Sequence, residues 1–296
     1  MKIKRKYSDK REQLIFYCIM IAIPVIQIAI FYFGVNFNSF ILAFKTYTTD
    51  GIKYFKQVFF DLFHDIRWAY AFKNSLLVYL ITTGVNIPLS LLFSYYIYRK
   101  KPLGNFFKTM LYFPAIASSI VMVILFKYFV DTFIPAVVFQ VSGKEIMGLM
   151  SNPDTTMLML IFYMIITGFG TNTLLLSGSM ASVNDSTIEA AKIDGATPFE
   201  IFYKVVFPHI WPTLVTILVT GLATLFLNQF NLFSLYGNNA ETKYITIGYL
   251  LYKLTYRASN TEYPYLAAFG LILTVIIIPI TLGIRKLLNK VGPSDE

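Results

Sequence analysis

Side chains able to carry covalent, acid–base or metal chemistry are scarce in this sequence. The one cysteine, Cys18, excludes an internal disulfide or a thiolate cluster. The two histidines, His64 and His209, stand far apart, and no His/Cys set has metal-ligand spacing. No Gly-x-x-x-x-Gly-Lys-Ser/Thr stretch occurs, so the chain has no phosphate-cradling loop of that kind. Hydrogen-bonding and docking chemistry remain. Four amides (Asn86, Asn172, Asn228 and Gln229) lie inside apolar blocks, with Gly168 and Gly170 making room beside them. One polar loop, 177–211, carries a dense pattern of helix caps and stops.

The elements that position these groups follow from composition. Of 296 residues, 56% are hydrophobic and only 14% charged, with a mean hydropathy of +0.60; soluble domains carry roughly 25% charged residues. The apolar residues fall in blocks of about 20, the length a helix needs to cross a hydrocarbon core of about 30 Å. Six blocks qualify: 14–34, 75–98, 111–130, 156–176, 212–233 and 266–284. The sequence therefore predicts an all-α, polytopic transmembrane bundle of six spans. A basic tail (1–13, with Lys2, Lys4, Arg5, Lys6, Lys10 and Arg11) precedes the first span, whose apolar stretch is too long for a signal peptide and has no small-x-small cleavage site, so it reads as an uncleaved anchor. Lys and Arg are more numerous on the side that holds both termini, which predicts a cytoplasmic N-terminus and a cytoplasmic tail at 285–296. This placement of basic residues accounts for the net charge of +9 better than nucleic acid would; the expected partner of the apolar surface is the lipid bilayer. Residues 75–284 form the predicted five-helix core. In the external segment 35–74, Phe55, Phe59, Leu62, Ile66 and Tyr70 recur at spacings of three or four and predict an amphipathic helix. Pro24, Pro88, Pro114 and Pro279 fall within spans and read as kinks.

The loop 177–211 predicts two short helices. Ser186-Thr187-Ile188-Glu189 reads as a capping box, with Ser186 as N-cap and Glu189 returning to its amide. Ala190, Ala191, Lys192 and Ile193 favour helix, and Gly195 is placed to stop it in the left-handed region. Thr197, Pro198 and Glu200 supply N-cap, N1 and N3 of a second helix, which Pro208 and Pro212 are expected to end. Phe199, Phe202 and Val206 would hold the hairpin on the bundle, and the alanines would let another surface approach. This is a protein-docking element by its physics.

Glu189-Ala190-Ala191-Lys192-Ile193-Asp194-Gly195-Ala196, followed by Phe199 and by Phe207-Pro208-His209-Ile210-Trp211-Pro212, resembles the EAA motif of binding-protein-dependent ABC importer permeases. Phe113-Pro114, the basic turn Arg99-Lys100-Lys101 and Asn231-Leu232-Phe233 resemble the maltose-type sugar permeases within that family. One departure is Gly237-Asn238-Asn239, where such permeases often carry Gly-Gly-Pro; ligand and binding-protein contacts there do not carry over.

The resemblance implies a type I importer permease in a bacterial or archaeal inner membrane. Its partners would be a second homologous permease, two copies of a cytoplasmic ATPase that hold ATP and Mg, and an extracytoplasmic solute-binding protein. The chain itself would be non-catalytic and bind no cofactor. Glu189, Ala190, Ala191, Asp194, Gly195, Ala196 and Pro208 would couple it to the ATPase, with Glu189 and Gly195 acting as a cap and a turn. Gly168, Asn172, Asn228 and Gln229 are the candidate solute pathway. Adjacent amides in an apolar span are costly without a use, and the spans hold no acidic pair, which favours an uncharged ligand such as a carbohydrate. Another neutral polar solute is the alternative. An ion-coupled secondary transporter would show an intramembrane carboxylate or histidine and an internal repeat. Asn86 can equally be interhelical glue.

Overall fold

The computed structural model describes residues 3–44, 53–259 and 262–293. Lys2, the stretch 45–52 of the external segment and the last three residues of the tail lie outside the described residues, as do the side chains of Lys4, Arg5, Lys6, Phe55, Phe59 and Leu62. Among the described residues there is no strand, and six helices are long and apolar enough to cross a membrane: Lys10–Phe44, Ile66–Tyr98, Ser119–Ser142, Thr156–Ala181, Pro198–Ala223 and Tyr263–Val291, here spans 1 to 6. Their contacts divide the chain into two units, residues 1–61 with 257–273 and residues 62–256 with 274–296.

In the first unit, span 1 leaves its large apolar side chains open, among them Leu14, Ile23, Phe31 and Phe33. A helix in hydrocarbon has no need to hide such side chains, because lipid tails are as apolar as leucine. The tie Tyr265 Oη to Asp61 Oδ2, 2.8 Å, joins the last span's first turn to the helix Lys53–His64.

The second unit is built on the pairing of spans 2 and 4. Small polar residues let the two backbones approach: Ser90 Oγ donates to the Phe169 carbonyl (3.1 Å) and Ser94 Oγ to the Thr173 carbonyl (2.9 Å), with both serines fully buried. This is the small-residue, hydroxyl-to-carbonyl packing that membrane helices use where the hydrophobic effect between them vanishes. Gly170 brings span 4 against the helix Gly104–Ile116 so closely that a methyl group there would overlap the Leu111 carbonyl.

Several boundaries differ from the sequence expectation. Span 1 runs on to Phe44, past the expected end at 34 and into the segment expected to be external, because 35–44 is itself apolar enough to continue the helix. The third apolar block, 111–130, straddles a break: the helix Gly104–Ile116 ends at Ala117, extended at ψ 150°, and span 3 restarts at Ser119 and runs on to Ser142. Both sides of the break are apolar, so hydropathy does not register it. Span 5 stops at Ala223 rather than continuing to 233. Beyond it Phe230 and Asn231 take left-handed φ values of +50° and +56°, and Asn228 Oδ1 accepts the Phe230 N–H at 2.9 Å, a local bond that competes with helix. The external amphipathic pattern is two helices, not one. Asp65, extended at ψ 116°, caps Arg67 N–H at 2.9 Å and starts span 2, so Ile66 and Tyr70 belong to that span. Finally, Pro208 and Pro212 do not end the second loop helix, which runs unbroken from Pro198 into span 5. A π-helical turn at Phe202–Val206 precedes Pro208, and its wider ring accommodates a residue that has no N–H to donate. Pro24, Pro88, Pro114 and Pro279 all lie inside helices.

Candidate functional site: cavity and capped hairpin

The hairpin begins at Asn184. Its side-chain oxygen accepts the Ser186 N–H at 3.1 Å, and helix Asp185–Ile193 follows with Asp185 in the first turn. This corrects the expectation of Ser186 as N-cap with Glu189 returning to it. Asn184 is extended, at φ −67° and ψ 125°, and is among the best cap residues, so it takes the first free amides two positions earlier. Glu189 is instead an exposed side chain on the helix surface. At the other end Gly195 has φ +80°, Ala196 N–H reaches the Ala191 carbonyl (3.0 Å) and Gly195 N–H the Lys192 carbonyl (3.1 Å). These are the two bonds of a Schellman stop. Thr197 then opens the next helix with a complete capping box. Glu200 N–H donates to Thr197 Oγ1 (3.3 Å), Thr197 N–H to Glu200 Oε2 (2.9 Å), and Pro198 stands in the first turn.

The hairpin is seated on the bundle by Ile188, Ile201, Val206 and Ile210, buried against Leu176, Met180, Val183 and Leu214. Phe202 packs there too, its ring 4.8 Å from that of Tyr95, whose hydroxyl donates to the Pro198 carbonyl at 3.0 Å. Phe199 does not join this face. It is 74% exposed, because Ile201 takes the inward position one turn into the helix. Ala191 and Ala196 lean on the bundle, while Ala190 faces out. The tip therefore presents Glu189, Ala190, Ile193 (86% exposed), Asp194 and Phe199. Sequence reasoning missed Ile193 and turned Phe199 inward, since periodicity fixes a face only once the first helical residue is known. Pro208 lies behind the tip, half-buried within span 5. His209 Nε2 is 2.9 Å from Ser182 Oγ, and Thr213 Oγ1 donates to Ser179 Oγ at 2.9 Å, so spans 4 and 5 are stitched beside the hairpin.

A cavity of about 400 Å³ lies among spans 2, 4 and 5. Gly168, Asn172 and Asn228 line it together, and Gln229 does not; the Gln229 Oε1 is buried without a partner outside the lining. Asn86 of span 2 also lines it, with Thr82 and Thr220. No lining residue is charged. The end of the cavity at Asn228 is fixed by the following segment. Gly248 sits against the Asn228 carbonyl, with no space for a Cβ, and Thr246 Oγ1 donates to that carbonyl at 3.4 Å. Asn74 Nδ2 holds the same segment from span 2, donating to the carbonyls of Lys243 (2.7 Å) and Ile245 (3.0 Å).

Membrane-length helices, an uncharged cavity lined by amides and hydroxyls, and a capped hairpin together define a polytopic membrane protein with a rigid polar-loop tip. Residues 86–291 match the family described as binding-protein-dependent transport system inner membrane component, and the chain belongs to that family. It is a multi-pass inner-membrane protein. It is similar to a probable ABC transporter permease protein of Mycoplasma pneumoniae (28% identity over 66% of this chain), and the match spans 60% of that relative's length. It is also similar to the multiple sugar-binding transport system permease protein MsmF of Streptococcus mutans, with 24% identity over 86% of this chain and 88% of that one. The fold matches that of a bacterial ABC transporter involved in the import of the acidic polysaccharide alginate, with a TM-score of 0.78 over 98% of this chain and 100% of that one at 20% identity.

Proposed function

We propose that this chain is the permease subunit of an ATP-driven importer that takes up a carbohydrate delivered by an extracytoplasmic solute-binding protein. The observation that carries the reading is the hairpin: two helices fixed by a Schellman stop and a capping box, seated on a buried apolar cluster, with an exposed tip of Glu189, Ala190, Ile193, Asp194 and Phe199. Such a tip is rigid, and its apolar residues gain by being covered. Its partner is a groove on a cytoplasmic ATPase, of which the assembled transporter holds two copies, carrying ATP and Mg. A second, homologous permease completes the pore, and both termini and the hairpin lie on the cytoplasmic side.

In this mechanism, closure of the ATPase dimer moves the two hairpins together. The hairpin transmits that motion because its second helix is continuous with span 5, whose residues line the cavity. Glu189 acts as a surface contact of the ATPase groove and Gly195 as the turn that aims the second helix; neither is an acid–base group. The uncharged lining, with three amides and several hydroxyls, supports a neutral polyhydroxyl solute, and the relative named for sugar transport supports the same class.

The chain is to be purified alone and together with its ATPase, second permease and solute-binding protein. Alone it should hydrolyse no ATP. Reconstituted in vesicles with its partners it should accumulate a neutral sugar, with hydrolysis stimulated by the liganded binding protein. Hydrolysis by the isolated chain, or a complete transporter that moves no sugar, would overturn the reading.

A further inference from the structure

Among the groups that line the cavity, Asn86 is the one with a buried side-chain oxygen that no other group of the fold completes. The residue is 7% exposed, its Oδ1 has no partner, and its Nδ2 lies where Gly168 leaves space: a Cβ on Gly168 would sit 2.9 Å from that nitrogen. Interhelical glue would show the opposite pattern. The nearby serines of span 2 illustrate it, since Ser90 and Ser94 each reach a span 4 carbonyl. A buried amide oxygen left open is destabilising, and one that also lines a cavity is placed for a group from outside the fold to complete it.

The rest of the lining indicates what completes it. Tyr79 Oη donates to the Leu218 carbonyl (3.0 Å), Thr82 Oγ1 to the Val78 carbonyl (2.6 Å), Thr216 Oγ1 to the Pro212 carbonyl (2.8 Å) and Thr224 Oγ1 to the Thr220 carbonyl (3.1 Å). These four hydroxyl protons are spent on the helices, which leaves the oxygens to act as acceptors. The Asn86 oxygen adds one more acceptor. A lining of hydroxyl and amide groups without any charged side chain matches a ligand that offers both donors and acceptors and carries no net charge, which is the chemistry of hydroxyl groups on a sugar or polyol.

We propose that Asn86 is a specificity-determining solute contact, its amide seated against Gly168 and its oxygen accepting a hydroxyl proton of the solute. This rests on the importer reading above and adds span 2 to the recognition surface. The closing experiment uses the complete transporter in vesicles and radiolabelled glucose, maltose and glycerol as probes. Uptake and binding-protein-stimulated hydrolysis are measured for wild type, Asn86→Leu, Asn86→Ser and Gly168→Ala, with the melting temperature of each. Asn86→Leu should melt no lower than wild type, because it removes an unpaired group. It should lose about ten-fold or more in uptake of the transported probe per folded transporter, as expected for one ligand hydrogen bond. Asn86→Ser, which restores an acceptor, should recover part of the loss. Gly168→Ala should impair the same uptake by displacing the amide, and the double variant Asn86→Leu/Gly168→Ala should be no worse than Asn86→Leu alone. If Asn86→Leu melts lower and its uptake falls only in step with folded protein, Asn86 is structural and the proposal is overturned. Undiminished uptake in stable Asn86→Leu overturns it as well, and should Asn86→Leu fail to assemble, unimpaired uptake in Asn86→Ser and Gly168→Ala does so. A wild-type transporter that moves none of the probes removes the importer reading for sugars, and this inference with it.

Discussion

Gly195 carries the most consequential single backbone conformation in the hairpin. At φ +80° it occupies the left-handed region, and nothing lies within 4 Å of where a Cβ would be. Substitution there is strained by conformation, not by crowding, at about 1–2 kcal/mol and more for a β-branched side chain. Gly195→Val is therefore expected to insert normally but to redirect the helix that restarts at Thr197, two residues on. Co-purification of the ATPase and uptake should both fall, and unchanged uptake would remove the hairpin from the mechanism. Asn184→Ala should cost about 0.5–2 kcal/mol of local stability through loss of the cap, and should reduce coupling less than Gly195→Val in the same assay. A third residue-scale effect is electrostatic. The Arg67 guanidinium, with Nε and Nη2 at 2.9 and 2.6 Å from Asp65 Oδ2, holds the Asp65 carboxyl below its ordinary range. A carboxyl depressed in the folded state stabilises above its unfolded pKa of about 4 and loses that contribution as pH falls through the folded value. Asp65→Asn keeps the cap and removes the charge. Its melting temperature should lie below that of wild type at pH 7, with the gap closing as the pH is lowered toward 3.

At the scale of elements, the glycines of span 4 separate packing from propensity. Gly170 abuts the Leu111 backbone carbonyl, and a backbone atom cannot rotate away, whereas Gly178 on the same helix has nothing within 4 Å. Gly170→Ala should push the helix Gly104–Ile116 off span 4 and lower the yield of folded protein. Gly178→Ala should be harmless or stabilising by up to about 1 kcal/mol, the ordinary helix preference for alanine. Thermal melts of the two purified variants in detergent give the comparison, and equal melts would mean the close approach at Gly170 does not hold the bundle. The sequence shows both residues as glycines in an apolar run and has no means of ranking them.

For the whole molecule, the six spans and the hairpin were legible in advance because each rests on local chemistry. Runs of about twenty apolar residues mark where spans lie even when their ends shift, and Gly195, Thr197, Pro198 and Glu200 form their stop and cap from neighbours within a few residues. The starting residue was less legible. Asn184 and Ser186 are both competent caps, and only the backbone at 184, extended and just past the end of span 4, decided between them. The breaks after Ile116 and Ala223 were not legible at all, since apolar residues flank both and a hydropathy profile has no term for ψ. The cavity belongs wholly to the tertiary level. Asn86, Gly168, Asn172 and Asn228 are up to 142 positions apart in sequence (86 to 228) and meet because Ser90 and Ser94 draw span 2 onto span 4 while span 5 returns beside them. Sequence alone could name the amides as costly in hydrocarbon. Which of them lines the cavity (Asn86, Asn172 and Asn228) and which does not (Gln229) depends on the rotation of spans 2 and 4 and on the non-helical path of the chain beyond Ala223, both set by packing against residues distant in sequence.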